Sequence, residues 1–181
     1  MTSLTPSEVA ALFDLDERRV RKDVEYGVFG RMKSPPRFEL AEVVYFKIVN
    51  GIELEIAIQD RKKLYRAIVA GMRSRKVDIE LSVYLVVKLA SAVRDVEARL
   101  REVAKWKAKL VERDDILGGA VVFPKSRIAV RHIGEMARRH ASVNEIVGDY
   151  PSLSKQDIDF AARFVAAYPR IGRPRSDIDA G

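Results

Sequence analysis

The spacing of apolar positions changes several times along the chain, and each change marks an element. Val9, Leu12 and Phe13 fall on one face of a short helix that Thr5-Pro6-Ser7-Glu8 starts. The Thr hydroxyl accepts from the third helical N–H, the Glu reaches back to the cap, and Pro6 sits where its missing N–H costs nothing. Asp14-Leu15-Asp16 breaks the run, and Asp16 is placed to cap a second helix that continues to Tyr26 and stops at Gly27. Two short helices joined by so tight a turn are the sequence form of a helix-turn-helix. Helices over Ala41 to Val49 (Val44, Ile48, Val49) and Gln59 to Ala70 (Leu64, Ile68) are expected to close this core. Val77-Asp78-Ile79-Glu80-Leu81 alternates strictly and predicts a strand, with Tyr84 to Val87 as its hairpin partner.

From Leu89 the period lengthens again. Leu89, Val93, Val96, Leu100, Val103 and Leu110 recur three and four apart, with Lys107 interrupting, and predict a long helix. Asp95 with Arg99 and Glu97 with Arg101 add i,i+4 ion pairs worth about 0.2–0.5 kcal/mol each. The seam formed by Leu89, Val93, Val96, Leu100 and Val103 either meets a second copy of the chain or lies along the chain's own C-terminal part. Further on, Ile116 to Phe123 and Ser126 to Val130 read as two β-type runs around a turn, entered through Gly118-Gly119. A helix from about Arg131 to His140 follows. Ser142-Val143-Asn144-Glu145 is a capping box for the next, and Ser154 caps a third with Ile158, Ala161, Ala162 and Val165 inward. The fold class is thus mainly α with small β-hairpins: two helix-turn-helix-like units joined by a β-hairpin and a long helix. The expected divisions are 1–75 (N-terminal unit), 76–113 (hairpin and connecting helix), 114–168 (C-terminal three-helix module) and 169–181 (a basic, then acidic, flexible tail).

Chemistry concentrates on the second helix. With Val20 and Val24 as its buried stripe and about 100° per residue, Arg18 and Lys22 point away from the core, flanked by Arg19, Arg21 and Tyr26. Long donors on an outward face are what a recognition helix offers to phosphates and guanine edges in a major groove. Glu17, Asp23 and Glu25 share the helix and favour the plainer reading of a solvated face. The stretch Val28 to Phe38 has apolar pairs around a Gly-, Pro- and cation-rich loop and reads as a small β-wing. Arg31, Lys33 and Arg37 at its tip are placed to reach a neighbouring backbone or minor groove. This part of the chain resembles MerR-type and other winged helix-turn-helix proteins.

Composition narrows the chemistry. There is no Cys, which excludes disulfides, thiolate metal sites and a Cys nucleophile. His132 and His140 are the two histidines, eight residues apart on one predicted helix, too far for one metal. No glycine-rich phosphate loop, metal-spaced ligand cluster or nucleophile–base pairing is present, so the chain reads as a non-enzyme without a cofactor. No apolar run reaches the roughly 20 residues of a membrane span, and a cytoplasmic location is expected. Lys and Arg number 33 against 26 acids, a formal charge of +7 that suits a polyanionic partner.

The C-terminal third carries a second resemblance. Gly118-Gly119, Val121 to Phe123, Ser126-Arg127-Ile128-Ala129-Val130, Ser142-Val143-Asn144-Glu145-Ile146, Tyr150-Pro151-Ser152-Leu153 and Asp157-Ile158 occur in that order. The set closely resembles the small C-terminal module of VapB-like antitoxins, a domain of unknown function. Departures are Lys125 where a Gly is usual, Ala129 where a Pro is usual, and His140 where a Gly closes the first helix; these touch turn geometry. The resemblance implies a type II antitoxin that binds and neutralises a PIN-like ribonuclease toxin and, as a homodimer, represses its own promoter on double-stranded DNA. It also gives the tail a role. A PIN-like nuclease holds its metals with carboxylates, and Arg170, Arg173, Pro174 and Arg175 form a cationic, helix-free segment suited to pair with them. Gly172-Arg173-Pro174 is also the core of a minor-groove AT-hook. Arg127 either bonds backbone carbonyls or meets a partner, the structural role being favoured; Trp106 and Tyr84 are read as core packing ahead of interface anchors; Lys155, Gln156, Asp159 and Arg163 are read as a protein-facing side of the last helix ahead of DNA contacts. The alternatives are a stand-alone helix-turn-helix regulator and an interaction adaptor that binds no DNA.

Overall fold

The structure, a computed structural model, describes residues 3–52, 55–113, 120–139 and 142–169. The first core is built by α1 (Pro6–Phe13), α2 (Glu17–Glu25), α3 (Leu40–Asn50), α4 (Ile58–Arg73), the hairpin β1 (Ile79–Ser82) and β2 (Leu85–Val87), and the front of α5 (Leu89–Lys107). β3 (Val111–Arg113) pairs with β4 (Ala120–Val122), and the second core is built by β4, α6 (Val130–Arg138), α7 (Val143–Asp149) and α8 (Lys155–Ala167). The chain is therefore mainly helical with small antiparallel β-pairs.

The caps read from sequence are present. Thr5 and Glu8 exchange side-chain and backbone hydrogen bonds at 3.2 and 2.9 Å, Asp16 accepts from the Arg18 N–H at 2.8 Å, and Ser142 and Ser154 both form capping boxes. Asp14 closes α1 in the left-handed region (φ 55°), a conformation Asp tolerates, and so permits the tight turn into α2.

The expected β-wing does not form. Phe38 bridges to Leu4 instead of to the Val28-Phe29 side, and Phe29 turns inward to pack edge-on against Tyr45 (5.1 Å) and Tyr65 (5.0 Å). The aromatic pairs outcompete a ladder that Pro35-Pro36 would have denied its donors. A second correction concerns the C-terminal hairpin. β4 pairs with β3 (Val111↔Val122, Glu112↔Val121, Arg113↔Ala120), whereas the Ser126 to Val130 run makes one bridge, Val122↔Ala129. α6 starts at Val130, which leaves that run too short to be a strand.

The β1–β2 hairpin has the expected partners, Ile79↔Val87 and Glu80↔Val86. It belongs to the first core, as does the front of α5: Ile79, Val87, Leu89, Ala92 and Val96 are buried there. Of the seam residues, Leu89 and Val96 are fully buried in this core and Val93, Leu100 and Val103 pack half-buried against it. Farther along α5, Trp106 stacks on Phe160 of α8 (5.2 Å, 17° between planes) and belongs to the second core. One helix thus contributes to both cores.

α8 packs against α6 and also against α1. Close approach to α6 requires Gly134: a Cβ there would lie 2.2 Å from the Ala161 carbonyl oxygen. Through α8, α1 is joined to the C-terminal module.

Candidate nucleic-acid interface

α2 buries one side and opens the other. Val20 is fully buried and Val24 half-buried, as the period predicts. Asp23, expected on the solvated side, is fully buried as well, and this corrects the sequence reading. Its carboxylate accepts from the Arg61 guanidinium at 2.7 Å and from the Tyr45 hydroxyl at 3.0 Å, while Arg61 Nε donates to the Ile56 carbonyl at 2.9 Å. Six other charged residues share α2 with Asp23, and although it falls three residues after Val20, its residue type hides the burial. The partners lie 22 and 38 residues away, and only folding brings them together.

The network sets the electrostatics beneath α2. Burial pushes the Tyr45 phenol up, and the adjacent Asp23 charge adds to it, so Tyr45 stays a neutral donor. Burial opposes the Arg61 charge, but the Asp23 hydrogen bond outweighs it and raises that guanidinium further. The Asp23–Arg61 salt bridge and the Tyr45 hydrogen bond hold α2 onto α3 and α4.

On the open side, Arg18, Arg21, Lys22 and Tyr26 are exposed and Arg19 is half-buried. Arg21 is tied to Glu17 (Nε–Oε1 2.7 Å), a solvated i,i+4 pair that a phosphate can displace at little cost. Arg18, Arg19, Lys22 and Tyr26 line a concavity of about 820 Å³ with Asp16, Asn50, Ile52, Glu55 and Arg61. The concavity is therefore bounded by cations on α2 and by the end of α3. Lys62 approaches from α4: its Nζ lies 3.9 Å from where a Cβ on Gly27 would be. Arg61, Lys62 and Asn50 are missed by reading α2 alone; the basic run Arg61-Lys62-Lys63 is the signal that could have found the first two. Arg31, Lys33 and Arg37 are exposed on the loop after α2 but do not line this concavity.

The remaining sequence candidates are placed as follows. Arg127 is exposed; Ser126 does the expected work, accepting from the Ile128 N–H at 3.2 Å and donating to the Phe123 carbonyl at 3.1 Å. Tyr84 is exposed at the β1–β2 turn and not in the core, because its neighbours Ile79 and Val87 fill the contact with α4 and α5. His132 pairs with the Tyr150 hydroxyl at 3.0 Å, and among the described residues no acid and His cluster is arranged to hold a metal. Gln156, Asp159 and Arg163 face the groove between α8, α1 and α5, so part of the outer side of α8 is taken up within the chain. Arg170, Arg173, Pro174, Arg175 and His140 lie outside the described residues.

Comparison with known proteins bears on the C-terminal module. Residues 111–165 match the family model described as protein of unknown function (DUF433). The DUF433 match takes in β3, β4, α6, α7 and most of α8, the stretch that carries the antitoxin resemblance. No curated protein and no solved structure matches the chain. Among the described residues no helix is long and apolar enough to cross a membrane.

Proposed function

We propose that the chain is a helix-turn-helix DNA-binding protein of the antitoxin kind, which represses its own promoter and neutralises a PIN-like ribonuclease toxin. The observation that carries the DNA half is the orientation of α2. Its inner side is held by Val20 and the Asp23–Arg61 ion pair, so Arg18, Arg19, Lys22 and Tyr26 front an open concavity. A rigid helix with cations on its free side suits major-groove docking, with Arg18 and Lys22 on phosphates or guanine edges and Arg21 released from Glu17. Arg31, Lys33 and Arg37 contribute backbone contacts from the following loop.

The antitoxin half is supported by the DUF433 match falling on the segment that resembles VapB-like modules. In this reading the tail cations Arg170, Arg173 and Arg175 pair with the metal-binding carboxylates of the toxin.

Binding to a duplex from the region upstream of the chain's own reading frame, followed by fluorescence anisotropy across a salt series, tests the first half. Affinity is expected to fall steeply with salt, and Arg18→Glu/Lys22→Glu to weaken it at least tenfold and flatten the salt slope by roughly two. Binding that ignores both salt and the charge reversal removes the reading. Co-purification with the product of the adjacent reading frame, with and without residues 169–181, tests the second half.

A further inference from the structure

Eight large apolar side chains are exposed among the described residues, and five of them sit on one small element. They are Val77 at 69 %, Val83 at 90 %, Tyr84 at 97 %, Leu85 at 45 % and Val86 at 47 %, on and just before the β1–β2 hairpin. The base of that hairpin is firmly held. Ile79 and Val87 are a buried cross-strand pair, Lys88 bridges Asp78 at 2.7 Å, and the Ala90 N–H donates to the Val77 carbonyl at 2.8 Å. A fixed stem thus presents an apolar tip to solvent.

We infer that this tip is the surface on which two copies of the chain meet. Three observations select a second copy. First, no charged residue stands between Glu80 and Lys88 in a chain of net charge +7. Two like-charged copies approach most easily through a neutral patch, and the same neutrality gives nucleic acid nothing to hold. Second, β1 and β2 are the two strands of their sheet, so each keeps an outer edge of open donors and acceptors. Neither Lys nor Pro guards the 81–87 segment, and identical edges can pair across a two-fold axis. Third, the area is adequate for a modest interface. An exposed Tyr offers on the order of 200 Å², and Val83, Tyr84, Leu85 and Val86 on the hairpin itself offer together roughly 500 Å². Edge pairing flanks both faces of the hairpin, so two copies remove up to roughly 1,000 Å², the size a specific interface must reach.

The pairing goes beyond the DNA reading and does not depend on it, because its test reads mass and not DNA affinity. Sedimentation equilibrium of the full chain at about 100 µM is expected to give twice the 20.4 kDa chain mass. Val83→Glu/Tyr84→Glu is expected to give the single-chain mass with unchanged helical circular dichroism, since both side chains are solvent-exposed. Because the chain has no Cys, Tyr84→Cys is expected to cross-link under oxidation, and Lys63→Cys on α4 to stay single. A wild type that sediments as a monomer overturns the inference, as does a double variant that remains a dimer or a Lys63→Cys variant that cross-links as readily. A monomeric wild type that floats with phosphatidylcholine vesicles through Tyr84 assigns the tip to a bilayer surface, and overturns it too.

Discussion

Tyr168 donates its hydroxyl hydrogen to Glu8 across 160 residues of sequence, and Lys107 donates to the same carboxylate oxygen at 2.7 Å. The other Glu8 oxygen accepts from the Thr5 N–H at 2.9 Å, so one side chain both caps α1 and fastens it to α5 and to the end of α8. Arg131 adds a hydrogen bond at 2.7 Å to the Tyr168 carbonyl. α1 is thereby joined to α5 and to the residue that ends α8.

Removing this junction costs stability. Hydrogen bonds to a charged group contribute about 1.5–3 kcal/mol, and Tyr168→Phe is expected to lose about 1–2 kcal/mol in urea unfolding. Glu8→Gln loses as much or more, and the two losses combine to less than their sum because Phe deletes and Gln weakens the same bond. Strict additivity in the double variant is the outcome that dismantles the junction.

The same carboxylate makes acid stability predictable. Burial raises its pKa, but the hydrogen bonds from Lys107, Tyr168 and Thr5 outweigh burial and hold Glu8 down at about 2, against an ordinary 4.5. A group with a depressed folded pKa stabilises fully above its unfolded value, and loses that contribution as pH falls through the folded one. The wild type is therefore expected to exceed Glu8→Gln by about 2 kcal/mol at pH 7. That margin should close between pH 4.5 and pH 2. Thermal melts of both proteins across that range check it.

Beneath α2, the Asp23–Arg61 pair predicts an asymmetry. Arg61→Met strands a buried carboxylate and is expected to cost about 3–5 kcal/mol. Asp23→Leu/Arg61→Met removes both charges and recovers most of that loss. Chemical denaturation of the three proteins decides the point; equal losses in single and double variants contradict it.

Between α6 and α8, Gly134→Ala places a methyl 2.2 Å from the Ala161 carbonyl oxygen and 2.5 Å from a Val165 methyl. A backbone oxygen yields little, so a loss of about 3 kcal/mol is expected. Gly148→Ala, with open space around the position, serves as the control and should be near neutral. Differential scanning calorimetry separates the two.

Much of the fold is legible in the chain because it is local. The capping boxes at Thr5, Ser142 and Ser154 act within four residues, and their helices begin where the caps say. The alternation around Ile79 and Leu81 and the helical period after Leu89 likewise survive folding, since each records a face that must be buried, while Val77 before the strand stays exposed. Of the candidate interface, Arg18, Lys22 and Tyr26 are found by the same argument, from the stripe of Val20 and Val24 opposite them.

Sequence by itself determined the helices, their caps and the outward side of α2, because hydrogen bonds within a turn and a repeating buried stripe need no distant partner. Only the tertiary structure decided that Asp23 is an interior anchor, that Phe29 and Phe38 enter an aromatic core in place of a wing, that β4 pairs with β3, and that Glu8, Lys107 and Tyr168 meet. Each of those outcomes depends on which remote groups compete for the same donor, acceptor or apolar surface, and that competition is settled in three dimensions.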